Sequence, residues 1–229
     1  MLEKINKHIF ITGVILIGVI LLFAFTHLDM EIQDYFYNSS TQKWLLNRDD
    51  ALLEFIFYDG IKKLLILFFV TLLFVLIIFR EKPLIVEYRK GLNILLLSGM
   101  LVPLVIGGLK DISNTPCPKS IIHYNGTYPD VRVFDKYPAD FPHNKKIKCW
   151  PAGHASGGFS LLALFFLFKK MSNKIKGIIL ALTLGWTIGL YKMLIGDHFF
   201  SHTLITMIIA WLIVLIIAKF IHKSKWRYI

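Results

Sequence analysis

The chain has 229 residues, of which 55% are hydrophobic, and a mean hydropathy of +0.60. That exceeds the apolar share of soluble domains and leaves too little polar sequence for a separate globular unit, so one membrane-embedded domain covering residues 1–229 is expected. The net charge of +11 would suggest an anionic partner in a soluble protein, but here it has to be mapped onto loops first, and no nucleic-acid partner is expected. The two cysteines, Cys117 and Cys149, share one polar stretch. They can pair only if that stretch faces an oxidising compartment.

Apolar runs occur at Ile9 to Thr26, Leu64 to Phe79, Leu92 to Leu109, Ala155 to Phe168, Gly177 to Ile195 and Thr203 to Ala218. A crossing takes roughly 20 residues, so several of these need flanking residues, and the fourth is the shortest. The fold class is therefore all-α: a polytopic membrane protein of about six transmembrane helices. The first run follows Lys4 and Lys7 but lacks a small-residue cleavage site before His27 to Glu31, which predicts a retained anchor. Between the first two runs, Trp44, Leu45, Leu46, Leu52, Leu53, Phe55, Ile56 and Tyr58 alternate with charges in a way that predicts a helix lying at the interface. Residues 110–153 form a long irregular loop, because Pro116, Pro118, Pro129, Pro138, Pro142 and Pro151 oppose long helices.

Alternate loops differ in charge, one set being strongly basic. One set holds Lys4 and Lys7; Arg80, Lys82, Arg89 and Lys90; Lys169, Lys170, Lys174 and Lys176; and Lys219, Lys223, Lys225 and Arg227, which is more than half of the 26 basic residues. By the positive-inside rule this set and both termini are cytoplasmic. The segments 27–63, 110–153 and 196–202 face outward.

Three polar places are not explained by membrane insertion, and charges at span ends usually mark a pathway or a site. Lys110 with Asp111 ends the third run, Cys149 to Gly158 opens the fourth, and Lys192, Asp197, His198 and His202 join the fifth to the sixth. The alternating topology brings all three to one face. Each has a plainer reading when taken alone. Lys110 and Lys192 can snorkel, and Gly153, Gly157 and Gly158 can let helices pack closely. His198 and His202, at i and i+4, are two metal ligands without a third, so no metal is expected. Taken together they suit phosphate chemistry. Lysines meet the nonbridging oxygens, a glycine-flanked turn offers backbone N–H groups, and imidazoles act as nucleophile and acid. No nucleotide-binding loop is visible and no cofactor is expected.

These residues resemble the type 2 phosphatidic acid phosphatase superfamily, whose core site is shared with vanadium-dependent haloperoxidases. That family shows Lys, six residues, Arg-Pro; then Pro-Ser-Gly-His; then Ser-Arg, five residues, His, three residues, Asp. Here Lys110 is followed after six residues by Cys117-Pro118, next comes Pro151-Ala152-Gly153-His154, and Lys192 precedes His198 by five intervening residues, with His202 three intervening residues later. The resemblance implies His198 as the nucleophile that forms a phosphohistidine, His154 as general acid, Lys110 and Lys192 as phosphate clamps, and Gly153 as a backbone donor. His202 stands where the family has its orienting Asp, and Asp197 is a second candidate for that role. The family's arginines are replaced by Cys117 and Lys192 and its second-block serine by Ala152, so two bidentate clamps are missing. Lys119, Lys145, Lys146 and Lys148 are nearby positive charges, each also readable as a solvated loop charge.

Cys117 at an arginine position has Cys149 as its sole possible partner, and a disulfide between them would tie the first block to the second. A divergent bacterial branch of these lipid phosphatases is implied, sited in the inner membrane with a periplasmic active site. It would cleave a lipid phosphate or diphosphate while the tail stays among membrane lipids. Two alternatives remain open: transfer of the phosphate onto an envelope lipid such as lipid A, and a noncatalytic protein that binds lipid phosphate or serves transport.

Overall fold

The computed structural model describes residues 1–141 and 146–223; Pro142, Lys145, Lys225 and Arg227 lie outside the described residues. Helices dominate: α1 Leu2–Phe25, α2 Leu28–Asp34, α3 Ala51–Ile78, α4 Pro83–Ile112, α5 Gly153–Leu167, α6 Met171–Leu194 and α7 Phe200–Lys223. Among the described residues, strand is confined to a two-residue pairing, β1 Tyr37–Asn38 with β2 Lys43–Trp44.

Among the described residues, five helices, α1, α3, α4, α6 and α7, are long and apolar enough to cross a membrane. The sixth, α5, is shorter than a crossing requires. It is a chain of 3₁₀ and α turns that reaches about 22 Å at 1.5 Å per residue, against about 30 Å of hydrocarbon. Gly157 and Gly158 disfavour a regular helix here. The segment sits inside the bundle instead, with Phe159, Ala163 and Ser160 fully buried and the Gly158 backbone against Gly185 of α6, where a Cβ would come within 2.6 Å. Gly157 meets only Leu65 at 3.4 Å, and Gly153 only the Lys110 side chain at 3.7 Å. Of the three glycines, Gly158 is the one that close helix packing demands.

The expected interfacial helix over 44–58 is not a separate element. Trp44 belongs to β2, and helix begins at Ala51, where the Asp50 carboxylate accepts hydrogen bonds from the Leu52 and Leu53 amides. From there it runs through a π turn at Phe55–Asp59 directly into α3. Residues 52–58 are thus the first turns of a long helix.

Exposed leucines, isoleucines and phenylalanines cover α1 and α3, whereas the interior lies along α4, α5 and α7, at Ile94, Val102, Ile106, Phe159, Ile205, Ala210 and Val214. In water such an outside would be untenable; in lipid it is the expected surface. The basic loops meet at one end. Lys169 pairs with Glu87, and Lys4 and Lys174 line one hollow with Phe166 and Trp211.

Candidate active site

The site lies at the other end, where α4, α5 and the α6–α7 turn converge. Helix α6 stops at Gly196, whose φ of +74° is the left-handed conformation glycine adopts without strain. A Cβ there would also strike the Trp44 ring at 2.4 Å. The Lys192 carbonyl accepts the amides of Asp197, at 2.7 Å, and His198, at 3.2 Å. That closing turn accounts for the five-residue gap between Lys192 and His198.

Two chain crossings place His154 on His198. The Ala152 amide donates to the His202 carbonyl at 3.2 Å, and Thr206 Oγ1 contacts both that carbonyl, at 2.8 Å, and the Ala152 carbonyl, at 3.2 Å. With the start of α5 knitted to the first turn of α7, His154 Nδ1 lies 2.9 Å from His198 Nε2. Lys110 and Lys192 are close enough for their charges to act on both imidazoles. Lys192 is 5% exposed, its Nζ 4.5 Å from the Tyr58 ring centroid and 3.2 Å from Asp197 Oδ2.

His198 is 1% exposed. Burial, then the neighbouring His154 and His202 and the two lysines, hold its pKa well below the ordinary histidine value, so it is neutral near pH 7. For Asp197, burial pushes the carboxyl up, but the Lys119 hydrogen bond and the charges of Lys119, Lys192 and Arg48 outweigh it and hold the pKa low.

Cys117 and Cys149 form a disulfide. Cys149 Sγ lies 2.9 Å from the Asp197 carbonyl oxygen and 3.8 Å from His198 Nδ1. The bridge therefore backs His198 as well as tying the long loop to the start of α5. Cys149, His198 and His202 offer atoms within 4.8 Å of one another, but this sulfur is bonded to Cys117, which leaves two imidazoles and no thiolate. That set fits a metal poorly.

His202 and Asp197 do not orient His198 through its ring in the expected way. The His198 and His202 ring centroids are 5.7 Å apart, and His202 Nδ1 is buried without a hydrogen-bond partner. The Asp197 carboxylate turns to cations instead: Lys119 Nζ at 2.5 Å, Lys192 Nζ at 3.2 Å and Arg48 Nε at 4.0 Å. Lys146 and Lys148 hold Asp111.

Several site neighbours were not legible in the sequence. The Tyr58 ring packs edge-on against His154 with centroids 5.0 Å apart. Asp29 accepts from the Ser201 amide at 2.9 Å and the Ser201 hydroxyl at 2.5 Å, and so caps α7 from outside. Gln33 donates to the Met193 carbonyl, and the Leu46 amide donates to that of Leu194. The first loop thus clamps the end of α6 and delivers Arg48. None of these sits at a recognisable spacing; the faint signal was a polar loop too short on chemistry of its own.

Beside the histidines opens a cavity of about 520 Å³. Lys110, Gly153, His154, Lys62 and Tyr58 form its polar end, and Leu65, Ile66, Phe69, Val70, Gly99 and Pro103 form a wall between α3 and α4.

Helices long and apolar enough to cross a membrane, with a histidine pair and lysines at one end, fit the class of membrane phosphatases. The chain belongs to the PAP2 superfamily, which matches residues 91–226, more than half of it. It is also similar to the lipid A 4'-phosphatase of Francisella tularensis subsp. novicida (strain U112), with 26% identity over 205 residues covering 88% of this chain and 89% of that protein. No solved structure gives a significant match.

Proposed function

We propose that the protein hydrolyses a lipid phosphate monoester or diphosphate through a phosphohistidine on His198. The observation that carries the reading is the 2.9 Å approach of His154 Nδ1 to His198 Nε2 between two lysines. For Nε2 to attack, it must carry a lone pair, and a neutral His198 with its proton on Nδ1 has one. A phosphoryl group parts the two rings. Nε2 bonds to phosphorus, the ester P–O bond breaks, and His154, protonated once the negative charge of the bound phosphate offsets the lysines, passes that proton to the leaving oxygen and returns to neutral. Water then attacks the phosphohistidine, His154 takes its proton, and phosphate leaves. Lys110 and Lys192 stabilise the oxygens that gain charge, with the Gly153 amide as a further donor.

The cavity supports a lipid tail. Its wall from Lys110 to Gly99 descends about 16 Å along α4, close to one leaflet's share of the hydrocarbon. The distribution of lysines and arginines supports an extracytoplasmic, periplasmic site in an inner membrane with both termini cytoplasmic. The likeness to a lipid A 4'-phosphatase makes a saccharide-borne lipid phosphate the first substrate to try.

The test is phosphate release by purified protein from a panel of lipid phosphates that includes lipid A. His198→Ala is expected to abolish release, and His154→Ala to lower kcat by about 10²–10⁴-fold. Turnover quenched in alkaline detergent should trap on the wild type phosphate that is stable to base and released by acid, and none on His198→Ala. Equal release by wild type and His198→Ala would overturn the assignment. Release that appears only when a second lipid is added would point to transfer instead of hydrolysis.

A further inference from the structure

The motif positions lack both arginines, yet the structure gathers two more cations at the carboxylate of Asp197, the residue before His198. Lys119 follows Cys117 by two residues and is fixed twice. Its amide donates to the Gly196 carbonyl at 3.0 Å, and its Nζ lies 2.5 Å from Asp197 Oδ1. Arg48 arrives from the first loop, outside the matched segment 91–226, with Nε 4.0 Å from the same oxygen. Lys192 takes the other oxygen at 3.2 Å. One cation would satisfy a structural carboxylate. Three share this one, with Lys110 close enough to act on it, while Asp111 is already held by Lys148. The cations held at Asp197 therefore exceed its single negative charge, as expected of an anion site awaiting its ligand.

We propose that Lys119 and Arg48 are phosphate-binding residues that stand in for the missing arginines, and that the Asp197 carboxylate holds them in place until a substrate phosphate takes them over. The proposal rests on the phosphatase reading of the site. Lys119, with its side chain 26% exposed, is the inner contact; Arg48, at 56%, stands at the rim and meets the incoming headgroup first.

The experiment measures inorganic phosphate binding to full-length protein in detergent by calorimetry, alongside phosphate inhibition of lipid phosphate hydrolysis. Lys119→Ala is expected to weaken phosphate binding about 10- to 100-fold, with Lys119→Arg restoring it, and Arg48→Ala to weaken it about 3- to 10-fold. A purely structural pair predicts something else: once Asp197→Asn removes the carboxylate, Lys119→Ala should cost nothing more. The proposal predicts the same loss in that background as in the wild type. Unchanged phosphate affinity in Lys119→Ala, or a loss that vanishes beside Asp197→Asn, would overturn it. Arg48→Ala alters an exposed side chain outside the packed interior, so it tests the rim contact without disturbing the fold: unchanged affinity removes Arg48 from the site. Calorimetry also separates phosphate binding from catalysis. A wild type that binds phosphate through Lys119 but hydrolyses no lipid phosphate would refute catalysis and leave the clamp standing.

Discussion

His154 Nδ1 and His198 Nε2 face each other at 2.9 Å, so in the resting site one imidazole donates to the other and the nitrogen proposed to attack is covered by the proposed acid. The contact selects a tautomer. If His154 donates from Nδ1, His198 carries its proton on Nδ1, beside the disulfide sulfur 3.8 Å away, and Nε2 keeps its lone pair.

The pH dependence of turnover follows. In the proposed reaction His198 attacks only when neutral, and burial, with the neighbouring imidazoles and lysines, depresses its pKa. Protonation on acidification is therefore delayed to lower pH than for a free imidazole. The acid limb of kcat/KM assigned to His198 is expected at lower pH than for an ordinary imidazole. A limb centred near pH 7 in a pH–rate series would contradict the buried, neutral nucleophile.

Tyr58 touches both halves of the site, the His154 ring edge-on and the Lys192 ammonium at 4.5 Å from its face. A cation over an aromatic face contributes about 0.5–2 kcal/mol. Tyr58→Leu is therefore expected to lower kcat/KM by roughly 3- to 30-fold, while Tyr58→Phe, which keeps the ring, stays near wild type. Steady-state kinetics on the two variants decides it; a Phe variant as impaired as the Leu variant would move the role from ring to hydroxyl.

Gly158 faces the Gly185 backbone, where a Cβ would approach to 2.6 Å. Backbone cannot yield as a flexible side chain does. Gly158→Val is expected to destabilise the α5–α6 contact by about 1–3 kcal/mol, read as a lowered midpoint of thermal unfolding in detergent. Gly157→Ala, with only the tip of Leu65 at 3.4 Å, should leave the midpoint nearly unchanged.

What the sequence disclosed and what it hid divide along a physical line. Apolar run length marked the long helices, and the spacings around Lys110, His154, Lys192 and His198 marked residues that do converge, because spans and closing turns are local properties of chain. The irregular build of α5 depended on its neighbours: a short apolar segment with two adjacent glycines is stable only where Gly185 lets it come close. Asp29, Arg48 and Tyr58 reach the site through long-range packing, such as the Leu46–Leu194 and Gln33–Met193 hydrogen bonds, which leave no periodic trace. Asp197 stood beside the nucleophile in sequence, and only its surroundings show that it serves cations and not the imidazole ring.

Asp29 makes stability depend on pH. Burial raises its carboxyl from 3.8 to about 6, with the Ser201 hydrogen bonds opposing. The folded state therefore holds this proton more tightly than the unfolded chain, so the contribution is fully present below about pH 4 and is lost as pH rises through about 6. Its full size is at most about 3 kcal/mol. Asp29→Asn keeps an acceptor for the Ser201 amide and cannot titrate. Unfolding midpoints of wild type minus those of the variant should fall between about pH 4 and 7; a flat difference would remove Asp29 as the titrating group.

The last prediction concerns the tail. Val70, 44% exposed on α3, lines the wall of the cavity well below the lysines and histidines. If the wall receives an acyl chain, a bulkier side chain there should obstruct lipid without touching the phosphate chemistry. Val70→Trp is expected to raise KM for a long-chain lipid phosphate about 10-fold or more, since lost burial of a few methylenes at roughly 0.8 kcal/mol each suffices. It should leave kcat/KM for a short, water-soluble phosphate ester within about two-fold. The ratio of the two specificities is the readout, because misfolding would depress both together. An equal loss on both substrates would mean that the cavity is a packing gap unrelated to the tail, and an unchanged ratio would send the search for the acyl chain to another face of α3.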